Sequence, residues 1–223
     1  MNRPWSLLAP ALIALAAALP CPAQEPLDRS EMAKLMRRNQ EELKDYTWES
    51  RQVYEVNGVQ RRVDVYSFRY NEYDMQEKMQ LSSTVTKEPL RWPNGKKLKK
   101  EEREAALEFA REARSRLFGY LSPMFAEKAV LGAEAETADG AIHLRSRDVM
   151  TTGDTVEIVL DAATRRPRTA AVAGTIEGAP ATLELRFAFE EYGPSFPVHS
   201  VTRSSWQGLE LVITTEDSKH TKD

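Results

Sequence analysis

The sequence predicts an α+β fold: a curved antiparallel sheet of about eight or nine strands, covered by two or three helices. Three observations carry this. Asn57-Gly58 separates two runs of alternating residues, the strongest short-range signal for a two-residue hairpin. Short alternating runs bounded by Gly, Pro or Asp recur from Ala133 to the C-terminus, which is meander patterning. Two stretches, Leu27 to Lys44 and Leu98 to Gly119, place apolar residues three to four apart, the period of an amphipathic helix.

In chain order, residues 1–23 come first. Arg3 supplies a basic start, Leu7 to Leu19 an apolar run, Pro20 a breaker, and Cys21 and Ala23 small residues, the three-part plan of a secretory signal. Cleavage is expected after Ala23, with Ala18 as the alternative. Pro20 directly before Cys21 argues against a lipid-anchored product. The apolar run is broken by Pro10 and is short for a bilayer span. Residues 24–223 are then one soluble domain without cysteine, stabilised by core burial alone.

The first helix uses Leu27, Met32, Leu35, Met36 and Leu43, with Asp28 or Ser30 placed to cap it. Strands then run from Tyr46 to Val56 and from Val59 to Tyr70. Pairing Val56 with Val59 sets the register. One face carries Trp48, Ser50, Gln52, Tyr54 and Val56 opposite Ser67, Val65, Val63, Arg61 and Val59. The other carries Glu49, Arg51, Val53 and Glu55 opposite Tyr66, Asp64, Arg62 and Gln60, with Arg51 facing Asp64. The first face is expected to be buried, and it mixes Ser, Gln and Arg with large apolar groups. A tight core would exclude most of these polar groups, whereas a cavity wall tolerates them. A third strand places Met75, Met79 and Leu81 on one face with Glu77. An exposed, Lys-rich connection over Lys87 to Lys100 leads to the second helix, and a short helical turn is expected from Phe125 to Val130. Strands follow at Ile142 to Ser146, Thr155 to Leu160, Thr169 to Ile176, Ala181 to Phe189, Pro197 to Trp206 and Leu209 to Thr215. In the fourth of these, Leu183, Leu185, Phe187 and Phe189 point one way and Thr182, Glu184, Arg186 and Ala188 the other.

The composition excludes several functions. The 31 basic and 34 acidic residues leave a net charge of -3, so there is no bulk attraction to nucleic acid. Three His and one Cys are too few soft ligands for a zinc cluster, and His143, His199 and His220 lie in different segments. No short catalytic or phosphate-binding motif occurs. Glu134 with Glu136, and Glu190 with Glu191, read as exposed charges rather than acid/base pairs. No enzyme, metal or cofactor is expected. Two features invite a binding role. Lys96, Lys97, Lys99 and Lys100 precede a helix whose dipole opposes them, so they form either a solvated loop or a docking patch for an anionic membrane surface or an acidic partner. Trp48, Tyr54, Phe187, Phe189 and Trp206 form either core or the lining of an apolar cavity.

Tyr46-Thr47-Trp48 leading into Val56-Asn57-Gly58 resembles part of the LolA/LolB-like group of periplasmic lipoprotein carriers. So do Val159-Leu160-Asp161-Ala162-Ala163-Thr164-Arg165-Arg166-Pro167 and Phe189-Glu190-Glu191-Tyr192-Gly193 with Phe196-Pro197. The resemblance implies a half-open β-barrel lidded by helices, located in the periplasm, with acyl chains of a lipid or lipoprotein in its hollow and no catalysis. On this reading Trp48, Tyr54, Val63, Val65, Leu185, Phe187 and Trp206 line the pocket of a monomeric carrier, and the helices around Leu35 and Phe109 are its lid. The alternative is an envelope sensor or protein-interaction module with a packed core, docking through Lys96, Lys97, Lys99 and Lys100.

Overall fold

A computed structural model describes residues 28–73, 75–189 and 193–222. The expected signal segment, Asp74, Glu190, Glu191 and Tyr192 lie outside the described residues. Among the described residues are three helices, α1 (Arg29–Leu43), α2 (Lys100–Gly119) and α3 (Pro123–Gly132). The strands are β1 (Tyr46–Val56), β2 (Val59–Tyr70), β3 (Gln76–Val85), β4 (Glu134–Ala138), β5 (Ala141–Arg147), β6 (Thr155–Asp161), β7 (Pro167–Ile176), β8 (Ala179–Phe189), β9 (Ser195–Trp206) and β10 (Leu209–Lys222). They form one open antiparallel sheet in the order β3-β2-β1-β10-β9-β8-β7-β6-β5-β4. The α+β expectation holds, with ten strands in place of eight or nine.

The local causes are mostly those expected. Asp28 caps α1, its carboxylate accepting from the Ser30 and Glu31 amides at 2.9 and 3.2 Å. Asn57 (φ 51°) and Gly58 (φ 71°) both take positive φ, as a type I′ turn requires. The Asn57 side chain then accepts from the Glu210 amide at 2.9 Å and ties the hairpin to β10. α2 begins where Lys99 N–H donates to the Glu102 carboxylate at 2.7 Å.

Two differences matter for the site. The first is a bulge. β1 and β2 pair as Val56↔Val59 and Glu55↔Gln60, but the next pair is Tyr54↔Arg62, which leaves Arg61 as the extra residue. Every pair beyond it slips by one: Gln52 faces Asp64, Ser50 faces Tyr66 and Trp48 faces Phe68. Val63 and Val65 therefore pair with Val53 and Arg51 on the outer face, not the inner one. The expected Arg51–Asp64 cross-strand pair is absent. Arg51 instead meets Glu216 at 3.4 Å, and Asp64 turns inward to Arg62 at 2.7 Å. The second difference is the long-range joint β1·β10, which welds the N-terminal hairpin to the C-terminal meander.

α2 crosses β10, β9, β8 and β7, α3 lies on β5, and α1 packs on α3 and touches β9. The sheet is thus covered between β5 and β10, and β1, β2 and β3 form a wing flanking α2. α2 buries Ala106, Leu107, Phe109, Ala110, Ala113 and Leu117 in one apolar cluster that also holds Leu144, Val156, Ile158, Val172, Leu183 and Ile213 of the sheet. Each large side chain so buried contributes about 1.5–3 kcal/mol.

Candidate functional site

The cross-strand register divides the inner face into a dry half and a polar half. One row reads Asp64–Gln52–Thr215–Ser200–Leu185–Ala170–Ile158–Leu144 from β2 to β5. Its neighbour reads Tyr54–Ile213–Thr202–Leu183–Val172–Val156. From β8 to β5 the first row is apolar, as is the second from β8 to β6; on β5 the second row ends in Ser146, whose hydroxyl donates to the Ala129 carbonyl. On β2, β1, β10 and β9 the same layer holds Asp64, Gln52, Thr215, Ser200 and Thr202, none more than 3% exposed. Gln52 accepts from the Tyr54 hydroxyl at 3.0 Å. Its amide nitrogen, and the hydroxyls of Ser200, Thr202 and Thr215, have no hydrogen-bond partner among the described residues. Leaving a buried polar group unpaired costs about 1–3 kcal/mol. Four such groups together approach the whole stability of a domain, about 5–15 kcal/mol. These groups form a buried polar seam beside the apolar half of the inner face.

The wing adds aromatic rings and positive charge. Trp48 stacks on Phe68 at 5.5 Å and on His220 at 6.4 Å, and Tyr66 lies 6.1 Å from Phe68. Lys78 of β3 sits over the Tyr66 ring at 3.6 Å and near Phe68 at 5.8 Å. From α2, Arg111 lies over Tyr54 at 5.4 Å and Arg114 over Phe118 at 4.3 Å. These two are three residues apart on α2, hence neighbours on the helix surface. Buried Asp64 accepts from Arg62 at 2.7 and 2.8 Å and from the Tyr66 hydroxyl at 2.9 Å. Burial pushes its carboxyl up, and the hydrogen bonds from Arg62, Ser83 and Tyr66 outweigh that and hold it below the usual range. Burial, with the Asp64 carboxylate, raises the Tyr66 phenol. Asp217 is raised by burial, although the Ser50 hydroxyl and Arg114 pull the other way. Burial lowers Arg114, and burial together with Arg114 and Arg111 lowers the Lys78 ammonium. Arg114, Arg111 and Arg62 thus all bear on Lys78, with the Asp64 carboxylate opposing them.

The residues expected to form one pocket separate into three places. Trp48 and Tyr54 belong to the polar, aromatic wing. Leu185, 2% exposed, lies in the dry half under α2, and Phe187 packs at its margin. Trp206 stacks on Trp92 at 5.9 Å at the opposite end of the sheet, where it also packs on the core. Val63 and Val65 are on the outer face, because the Arg61 bulge reverses β2. Sequence reading missed Asp64, Tyr66, Phe68, Lys78, Arg111, Arg114 and Asp217. The mixed character of Ser50, Gln52 and Tyr54 was the legible trace of the site.

Lys96, Lys97, Lys99 and Lys100 are exposed on a small turn closed by the amide of Leu98, which donates to the Leu90 carbonyl at 2.8 Å. Their opposition to the helix dipole is offset in the first turn of α2 by Glu101 and Glu102, and Lys100 reaches Glu104 at 3.9 Å. Grooves among the described residues include two on the surface. One of ≈ 790 Å³ runs between α1 and α3 beside Met124 and Leu131 and is bridged by the Arg37–Glu127 ion pair. The other, of ≈ 420 Å³, lies on the outer face of the sheet among Glu157, Glu184, Arg186 and His199. Among the described residues no helix is long and apolar enough to cross a membrane.

No family model matches the sequence, and a search of curated proteins finds no match. In three dimensions the chain is similar to an outer membrane lipoprotein-sorting protein domain from Vibrio parahaemolyticus, at 10% identity and a TM-score of 0.44, over 87% of this chain and 93% of that one. It is also similar to a LolA superfamily protein from Nitrosomonas europaea, at 10% identity and a TM-score of 0.43, over 89% of this chain and 94% of that one.

Proposed function

We propose that the chain is a non-catalytic binding protein, exported to the periplasm, that holds an apolar ligand such as the acyl chains of a lipid or lipoprotein against the inner face of its sheet. The observation that carries this reading is the polar half of that face: the buried amide nitrogen of Gln52 and the hydroxyls of Ser200, Thr202 and Thr215 lack partners among the described residues, on a face that also carries the rings of Trp48, Tyr66 and Phe68. A filled core has no use for such a seam, and a ligand site does. The wing rings and the margin of the dry half at Phe187 supply apolar contact, worth about 0.8 kcal/mol for each methylene covered. Trp48 and Tyr54 keep their proposed role in lining this site on the wing, and Phe187 at the margin of the dry half, whereas Leu185 lies buried in the core. α2, around Phe109, is its cover. The resemblance of the sequence motifs to the carrier group points the same way.

Uptake of an apolar fluorescent probe tests the proposal. The mature chain should bind the probe, and Trp48→Ala and Phe68→Ala should each weaken uptake by about tenfold while leaving the circular dichroism spectrum unchanged. Uptake at wild-type affinity in both variants, with both folded, overturns it.

A further inference from the structure

We propose that the site selects amphiphiles with an anionic head group, a phosphate or carboxylate, and that Lys78 and Arg114 are the residues that read it; this rests on the binding function proposed above. Three elements converge on this spot: Lys78 of β3 lies over Tyr66, which shares Asp64 with Arg62 of β2; Arg62 pairs across with Tyr54, over which Arg111 of α2 lies, with Arg114 one turn further along α2. Two of these charges are already spent. Arg62 is held by Asp64 at 2.7 Å and Arg111 by Glu108 at 2.9 Å. Among the described residues neither Lys78 nor Arg114 forms an ion pair with a carboxylate. Nε of Arg114 is buried and has no hydrogen-bond partner among the described residues. The acids that act on the two are Asp217 on Arg114 and Asp64 on Lys78; Asp217 is raised by burial, and Asp64 is already held by Arg62.

Mutual repulsion among these cations is a standing cost that a bound anion would remove. The charged ends of both residues lie over aromatic faces, Lys78 Nζ 3.6 Å from the Tyr66 centroid and Arg114 Cζ 4.3 Å from the Phe118 centroid, so the cations sit where an aromatic wall meets the polar half of the inner face. That boundary is the place for the junction between a head group and its chain. Arg114 offers a planar fork suited to two oxygens of a phosphate or carboxylate, and Lys78 a point charge beside it. The unpartnered hydroxyls of Ser200 and Thr215 continue the polar lining toward β9.

The test is displacement of the apolar probe from the mature chain by decyl phosphate, decanoate, decanol and inorganic phosphate. The wild type should respond to decyl phosphate and decanoate at concentrations about tenfold lower than to decanol, the gain expected from charge-assisted hydrogen bonds. In Lys78→Gln and Arg114→Gln that preference should shrink toward unity with decanol unchanged. Lys78 is on an exposed edge strand, so Lys78→Glu gives a second, fold-neutral variant, which should favour a decyltrimethylammonium cation over decyl phosphate. Equal response of the wild type to decyl phosphate and decanol overturns the proposal, as does an equal loss of decanol response in the Gln variants. Displacement by inorganic phosphate at the concentration that suffices for decyl phosphate also overturns it, since the site would then read a free anion. Failure of the wild type to take up the probe at all refutes the underlying binding function instead.

Discussion

Replacing Thr202 and Thr215 by Val should stabilise the ligand-free protein and weaken its binding of polar-headed ligands. Both residues are 1% exposed on neighbouring strands of the inner face, and neither hydroxyl has a partner among the described residues. Val keeps the β-branched shape and the strand preference of Thr, so the change is confined to loss of a hydroxyl. An unpaired buried hydroxyl costs about 1–3 kcal/mol. Taking the lower end for each, the double variant should gain about 2 kcal/mol, which for a chain of this length raises Tm by roughly 4–8 °C. Urea unfolding at pH 7 measures this directly, with an unchanged slope as the check that the denatured state has not altered. A loss of 1 kcal/mol or more refutes the reasoning, because it means that the hydroxyls are paired inside the folded chain and that the seam is ordinary core.

Other consequences concern elements outside the seam. Gly58→Ala should destabilise by about 1 kcal/mol in thermal unfolding, since φ is 71° and nothing lies within 4 Å of an added Cβ, so backbone strain alone acts. Trp206→Ala should lower stability by about 3 kcal/mol through loss of its stack on Trp92 while leaving probe uptake intact. Asp154 is buried and accepts from the amides of Val149, Met150 and Thr151 at 2.7, 2.9 and 2.6 Å and from the Tyr120 hydroxyl at 2.7 Å. Burial raises its carboxyl, but these hydrogen bonds win and hold it below its ordinary 3.8. A depressed folded pKa adds stability above the unfolded value that disappears as pH falls through the folded one. The gap between wild type and Asp154→Asn should therefore be constant above about pH 5 and narrow below pH 4, as read by urea midpoints across that range.

Much of the fold is local enough to be read from the chain. Asn57-Gly58 declares its hairpin, Asp28 its helix start, and Leu183 and Leu185 the dry side of β8. Asp139-Gly140, Glu177-Gly178 and Gln207-Gly208 form further tight turns with both residues at positive φ. β4 escapes because Glu134–Ala138 is an edge strand with four of its five residues exposed, and Glu-Ala-Glu-Thr-Ala has no apolar face to alternate. The Arg61 bulge escapes because adjacent arginines give no signal of which one is extra, and one such residue moves Asp64, Tyr66 and Phe68 inward and Val63 and Val65 outward. The β1·β10 pairing joins residues more than 150 positions apart and has no local signature. The site inherits these gaps. Gln52 and Tyr54 are visible as odd members of a buried face, whereas Lys78, Arg114 and Asp217 come together only after the two hairpins and α2 are placed.

Native mass spectrometry of the mature protein purified from the cells that make it, with lipid extraction of the same sample, tests the central claim most directly. The account predicts a population carrying the added mass of an acyl-chain ligand, recovered in the extract and depleted in Phe68→Ala. A bare mass for the wild type, combined with no uptake of an apolar probe, contradicts it and makes the polar seam a feature of a packed interior.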